Sequence, residues 1–190
     1  LRDRDGNRRK IRVGNILSPK INARYKLNDK WTLKGSTGLT SQRPEPPQLN
    51  PTLGNPDLGI IRGFETTLGF ETQISEVVSL DLQFFDKHLW NLVVPNTGFQ
   101  ASSPYSDSGT GRINGLELLL RHKPKGPFFG WVAYTLQRAT RRDRPQDEER
   151  LFGWDQTHIL TALGSYKLPY NMELGMRWRF VSGQPYTGVT

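Results

Sequence analysis

Cysteine is absent from this chain of 190 residues, and histidine occurs only three times. The first absence excludes disulfides and every thiolate metal site. The histidines at 88, 122 and 158 show no H-x-x-x-H or H-x-H spacing, so no zinc site is expected. Long apolar runs are missing too: none approaches the roughly 18 to 20 residues of a membrane helix, and the longest are pieces such as "LELLL". The opening "LRDRDGNRRK" is basic but is not followed by an apolar segment, so it is not a signal peptide. If the chain spans a membrane, it does so with strands. Hydrophobic residues make up 35%, yet aromatics reach 11% and the net charge is +8, a composition too aromatic for disorder and polar for a soluble core.

Three closely spaced glycines raise the question of a phosphate loop. In "SGTGRINGLELLLRHK" Gly109, Gly111 and Gly115 are spaced G-x-G-x-x-x-G, one residue longer than the dinucleotide fingerprint, and no Gly-Lys pair follows as a phosphate loop requires. The leucines behind them decide the matter. Leu116, Leu118 and Leu120 alternate with Glu117 and Arg121, which is the period of a strand. Gly111 and Gly115 then permit a bulge or a close backbone approach, whereas Gly109 reads as turn punctuation.

The same period of two runs through most of the chain. "KINARYKL" sets Ile21, Ala23, Tyr25 and Leu27 against Lys20, Asn22, Arg24 and Lys26, and "MELGMRWRF" sets Met172, Leu174, Met176, Trp178 and Phe180 against Glu173, Arg177 and Arg179. About eight strands are expected, near 20–27, 31–42, 60–74, 78–94, 111–123, 128–142, 155–168 and 172–185. Several exceed the usual strand length of about 5 to 6 residues, which favours a barrel over a sandwich.

The connections alternate in length. "NDK", "SEV", "PKGP" and "PYN" are short, whereas "RPEPPQLNPTLGNPDLG", "PNTGFQASSPYSDSGT" and "DRPQDEERLFG" lie between them. Outer-membrane barrels have short periplasmic turns and long extracellular loops. Tyr25, Trp31, Phe128, Phe129, Trp131, Tyr166 and Tyr170 gather at the short-turn ends and read as one interfacial girdle. The expected fold class is thus all-β: an antiparallel transmembrane barrel segment whose apolar residues (Leu33, Phe70, Leu82, Leu118, Met176, Trp178) face lipid. Short turns on the periplasmic side would put both chain ends outside the cell. Residues 1–190 are therefore expected to be part of one larger barrel domain, with residues 1–18 an extracellular loop.

Several segments in order carry a family likeness: "LSPKINARYKLNDKWTLKGSTGLTSQRP", "GTGRINGLELLLRHK", "FFGWVAYTLQRATRRD", "LFGWDQTHILTALGSYKL" and "RWRFVSGQPYT". Over residues 17–190 the chain resembles the barrel portion of TonB-dependent outer-membrane receptors. That resemblance implies a barrel of about 22 strands with a filled lumen, a plug domain and further strands of the same protein, and energy delivered through TonB. It implies active uptake of a scarce small-molecule ligand of the iron-chelate, cobalamin or glycan type, in the outer membrane of a Gram-negative cell. Lipopolysaccharide and outer-membrane lipid are the expected surroundings, and no nucleic acid partner, cofactor or enzymatic activity is expected.

Two groups of residues are candidates for function. The loop "RATRRDRPQDEERLFGWD" holds Arg138, Arg141, Arg142, Arg144 and Arg150, whose guanidinium groups suit anionic ligands, although nearby acids offer partners of their own. Glu65, Glu71, Glu117, Arg121, Arg177 and Arg179 fall on the polar face, where they would line a ligand path, touch a plug or form ion-pair ladders between strands. His158 alternates in phase with Leu160 and Ala162 on the apolar face, so no Ser-His hydrolase arrangement is expected there. Two other readings stay open: a soluble basic β-protein that binds anionic glycan or nucleic acid through its +8 charge, and a complete small barrel of about eight strands.

Overall fold

A computed structural model of the protein describes residues 16–96 and 103–185. The expected loop at 1–18 thus falls mostly outside the described residues. The chain forms one antiparallel sheet from β1 (Lys20–Lys26), β2 (Trp31–Gln42), β3 (Ile61–Gln73), β4 (Val78–Pro95), β5 (Tyr105–Lys125), β6 (Phe128–Arg142), β7 (Arg150–Leu151), β8 (His158–Lys167) and β9 (Glu173–Val181). Each strand pairs with the next, except that β8 follows β6 along the sheet while β7 pairs with the far end of β6. The sheet is open, with β1 and β9 at its edges.

Local chemistry sets the short turns. Asn28 Oδ1 accepts hydrogen bonds from the amides of Lys30 and Trp31, both at 2.9 Å, closing the turn between β1 and β2. Ser75 Oγ does the same for Val78 N at 3.1 Å between β3 and β4. The turn between β8 and β9 needs two left-handed residues, Tyr170 (φ 61°) and Asn171 (φ 57°).

Register aligns the sequence alternation across strands. Tyr25, Leu33, Phe70, Leu82, Leu118, Tyr134, Leu160 and Phe180 are successive cross-strand partners, an apolar row spanning the whole sheet. A parallel row runs through Leu68, Phe84, Leu116 and Leu136 to His158. Nothing in the described chain covers this face: Met176 is 73% exposed and Leu68 63%. Among the described residues the buried hydrophobic ones are Val94 and Ala139, both at the long-loop end and on the opposite face. There the connection between β2 and β3 docks on β5, with Gly59 N donating to Asp107 Oδ2 at 2.9 Å and Asn55 Nδ2 to Tyr105 O at 2.9 Å.

Three expectations need correction. Gly109 is not turn punctuation, because β5 begins at Tyr105 and Gly109 lies within it, paired with Leu92. The reason is on the neighbouring strand. Asn91 takes a left-handed φ of 57° and the register shifts between Leu89 and Leu92, which puts one extra residue in β4; a second shift between Leu92 and Val94 puts one in β5, between Ser106 and Gly109. A side chain at Gly109 would meet Leu92 O and Val94 Cγ1, each at 2.8 Å, so glycine allows the bulged strand to close on it. The second correction concerns Trp131 and Phe129. They pair with Arg121 and Ser165, which puts them on the polar face, away from Tyr25, Trp31, Phe128 and Tyr166. Finally, residues 155–157 lie before β8 and outside it, and a two-residue strand forms at Arg150–Leu151 that the alternation does not predict.

Candidate functional site

The polar face carries a chain of ion pairs that step over intervening strands. Arg24 on β1 meets Glu71 on β3 at 2.5 Å, passing across β2. Lys34 on β2 meets Asp81 on β4 at 2.5 Å and Glu71 at 3.7 Å. Lys34 and Gln83 both lie opposite Gly69, so no side chain on β3 stands between Lys34 and β4. Gln83 Nε2 continues the series by donating to Glu117 Oε2 at 2.6 Å, and Lys87 lies 3.6 Å from Glu65.

A cleft lined by Arg24, Glu71, Gln73, Asp81, Arg121 and Lys123 opens on this face. Of the six residues singled out here from sequence, Glu65 and Glu117 have bonded partners on the adjacent strand and Glu71 one on the second strand along, and Arg121 lines the cleft beside them. Arg177 and Arg179 sit apart on the edge strand β9, opposite Leu163 and Thr161.

The five loop arginines do not form one cluster. Arg150 Nη2 donates to Asp143 Oδ2 at 2.6 Å and Arg141 Nε to Asp143 Oδ1 at 2.8 Å. Arg141 also donates to Val93 O at 2.9 Å and stacks over Phe152, its guanidinium carbon 5.8 Å from the ring centre. The hydrogen bond from Arg150, aided by that from Arg141, holds the Asp143 carboxyl below the usual carboxylate range against its partial burial. Arg144 is also engaged by a partner. Arg138 and Arg142 point to the other face of the sheet, as partners of Asn114 and Thr110.

Two features escaped the sequence reading. Asp155 is 2% exposed; its Oδ1 accepts the Ala139 amide at 2.7 Å and its Oδ2 the Thr157 hydroxyl at 3.0 Å. It supplies the acceptor that a strand would otherwise give β6 between the ends of β7 and β8. The spacing Asp-x-Thr in "WDQT" is the sequence signal that could have revealed it. The other is Asp86, which accepts from Arg112 Nε at 2.8 Å and lies 2.8 Å from His88 Nε2, on the same face as the apolar rows.

A meander of long antiparallel strands, with one uncovered apolar face, one charged face and loops docked at one end, defines a segment of β-barrel wall. The family model described as "TonB dependent receptor-like, beta-barrel" matches residues 2–190, and the chain belongs to that family. Solved structures agree on the fold. The FrpB iron transporter from Neisseria meningitidis (F3-3 variant) aligns with a TM-score of 0.67 at 18% identity, over 86% of this chain and 26% of that one. The ferric-catecholate import receptor Fiu from K12 E. coli gives 0.65 at 20% identity, over 85% and 24%. The siderophore receptor PirA from Acinetobacter baumannii gives 0.65 at 17% identity, over 88% and 30%. The chain therefore spans about a quarter of the length of the receptors it resembles. No curated protein sequence matches it.

Proposed function

We propose that the chain is part of the wall and extracellular rim of an outer-membrane transport receptor, energised through TonB, that takes up an iron chelate. The observation that carries this is the uncovered apolar row from Tyr25 to Phe180, unbroken across eight paired strands. On this reading the apolar face meets lipid and the charged face meets the lumen. A soluble sheet would need a second layer over the apolar face, and the described residues supply none.

Residues 1–190 then belong to one barrel domain whose other strands continue from β1 and β9, and residues 1–18 to an extracellular loop. Glu65, Glu71, Glu117, Arg121, Arg177 and Arg179 face the plug, and Arg121 with its cleft borders the ligand path. Because Arg141 and Arg150 are bound to Asp143, their role is to shape the loop, not to hold the ligand. The iron-chelate class is favoured over cobalamin or glycan by the structural neighbours, which include an iron transporter, a ferric-catecholate import receptor and a siderophore receptor.

The test is growth under iron limitation. Cells lacking the parent gene should fail to grow on one class of ferric siderophore supplied as sole iron source, and the gene should restore growth only when TonB is present. Restoration in cells without TonB would reject the energised mechanism. Growth indifferent to the gene on every siderophore would reject the ligand class.

A further inference from the structure

Charge on the polar face is sorted along the strands. From the middle of the sheet to the long loops, the cations of β2, β4, β6 and β7 on that face each have an acid: Lys34 has Asp81, Lys87 has Glu65, and Arg141 and Arg150 share Asp143. Toward the short turns the balance changes. Among the described residues no ion pair reaches Arg121 or Lys123 on β5, nor Arg177 or Arg179 on the edge strand β9. Lys123 has only the neutral Gln73, at 3.2 Å. The acids of the nearby turns are already taken, Glu76 by Lys125 and Asp29 by Lys26. The polar face is therefore close to neutral at its long-loop end and positive at its short-turn end.

Two of these free cations share a cleft. Arg121 and Lys123 line its volume of about 320 Å³ together with Gln73, Ser79, Glu71 and Asp81. The two carboxylates do not neutralise them, because Glu71 meets Arg24 and Asp81 meets Lys34, each at 2.5 Å. Register sets Ser79 opposite Arg121 on one side and Trp131 on the other, all three on the polar face. The exposed Arg121 guanidinium thus has a hydroxyl on one flank, an indole on the other and, among the described residues, no acceptor. Five fixed N–H donors in a plane suit the oxygens of an anion, and low-dielectric walls focus the field of unpaired charges into such a cleft.

We propose that this cleft is an anion-binding station near the periplasmic end of the ligand path, and that the transported chelate carries net negative charge. Arg121 and Lys123 take its free anionic oxygens, Ser79 donates a further hydrogen bond, and Trp131 offers a flat wall beside them. Hydrogen bonds to charged oxygens are about twice as strong as neutral ones, so an uncharged chelate of the same shape gains far less here. The sorting of charge gives the station its direction. An anion entering past the paired cations near the loops meets no net attraction until it reaches Arg121, with Arg177 and Arg179 adding to the same field from β9. The inference rests on the transport reading given above and adds the sign of the cargo and the place where it is held before release.

The test uses the parent receptor purified in detergent, with two iron(III) chelates as probes: the triply negative tris-catecholate and the uncharged tris-hydroxamate. Binding at the cleft is read as quenching of Trp131 emission, taken as the difference between wild type and Trp131→Phe. The tris-catecholate should bind wild type at least tenfold more tightly than the tris-hydroxamate, and the Arg121→Gln/Lys123→Gln variant should lose that preference. Lys30→Gln, which removes a charge from a turn at the same end, should keep it. Raising the salt concentration should weaken the anionic probe alone, a readout in wild type that decides the matter even if the double variant does not fold. Equal affinity for the two chelates, or an unchanged preference in a folded double variant, overturns the station. Absence of quenching at Trp131, with a double variant that unfolds more easily than wild type, overturns it in favour of an acidic segment of the receptor itself. Cells that import the uncharged chelate through the receptor and reject the anionic one sink this inference alone, whereas growth indifferent to the gene on every chelate sinks the transport reading as well.

Discussion

Asp155 shows how a single residue holds the long-loop end together. Ala139 is 5% exposed, and on the side away from β5 its amide faces the gap between β7 and β8, so the carboxylate stands in for a main-chain acceptor. Removing it in Asp155→Ala leaves a buried amide unsatisfied, at about 1 to 3 kcal/mol. In the parent receptor, hydrogen exchange at Ala139 should quicken about ten- to a hundredfold, while Asp155→Asn, which keeps an acceptor, should change it much less. Exchange unaltered in the alanine variant would show that another group satisfies the amide. The loop arginines make a related point. Their richness was plain in the sequence, but which of them were already committed was not, because Asp143 selects Arg141 and Arg150 through a turn that no spacing announces.

At the scale of strands, alternation of period two made β1 to β5 and β9 legible, because each has apolar residues on one side and charges on the other. β6 resisted for a physical reason: "FFGWVAYTL" is aromatic or small on both sides, so its parity is set by the register shift between His122 and Lys125, which put Trp131 on the polar face. The start of β5 was hidden likewise, since residues 105–109 become strand only because the bulge at Asn91 brings the end of β4 alongside. Gly115 is held by the same closeness. A side chain there would lie 2.4 Å from Leu136 O and 2.7 Å from the Phe85 ring. Gly115→Val should therefore separate β5 from β6 and cut the yield of heat-modifiable, folded receptor in outer membranes, whereas Gly153→Val, with open space around it, should not.

For the molecule as a whole, the two faces of the sheet should respond oppositely to charge. Leu82, in the middle of the apolar row, lies at mid-membrane on the proposed reading. Leu82→Arg should destabilise the receptor by about 2 to 4 kcal/mol, the range for arginine on the lipid face of a barrel at its midplane. Thr135→Arg, on the charged face beside Glu117, should be tolerated. Measured as the shift in the urea midpoint of unfolding from vesicles, similar losses for both would contradict the assignment of faces.

The ion pairs that step over a strand also fix alignment. Sliding one strand by two residues leaves every apolar residue on its own side, so the hydrophobic pattern forbids odd slips but is blind to even ones. Arg24 with Glu71 and Lys34 with Asp81 tie second neighbours to one another across β2 and β3. A slip of any one of these four strands would break one tie, and a two-residue slip at the seam between β2 and β3 would break both, while leaving the greasy surface intact. The charged face thus acts as the key that tells the assembling wall which of several equally oily alignments is the native one.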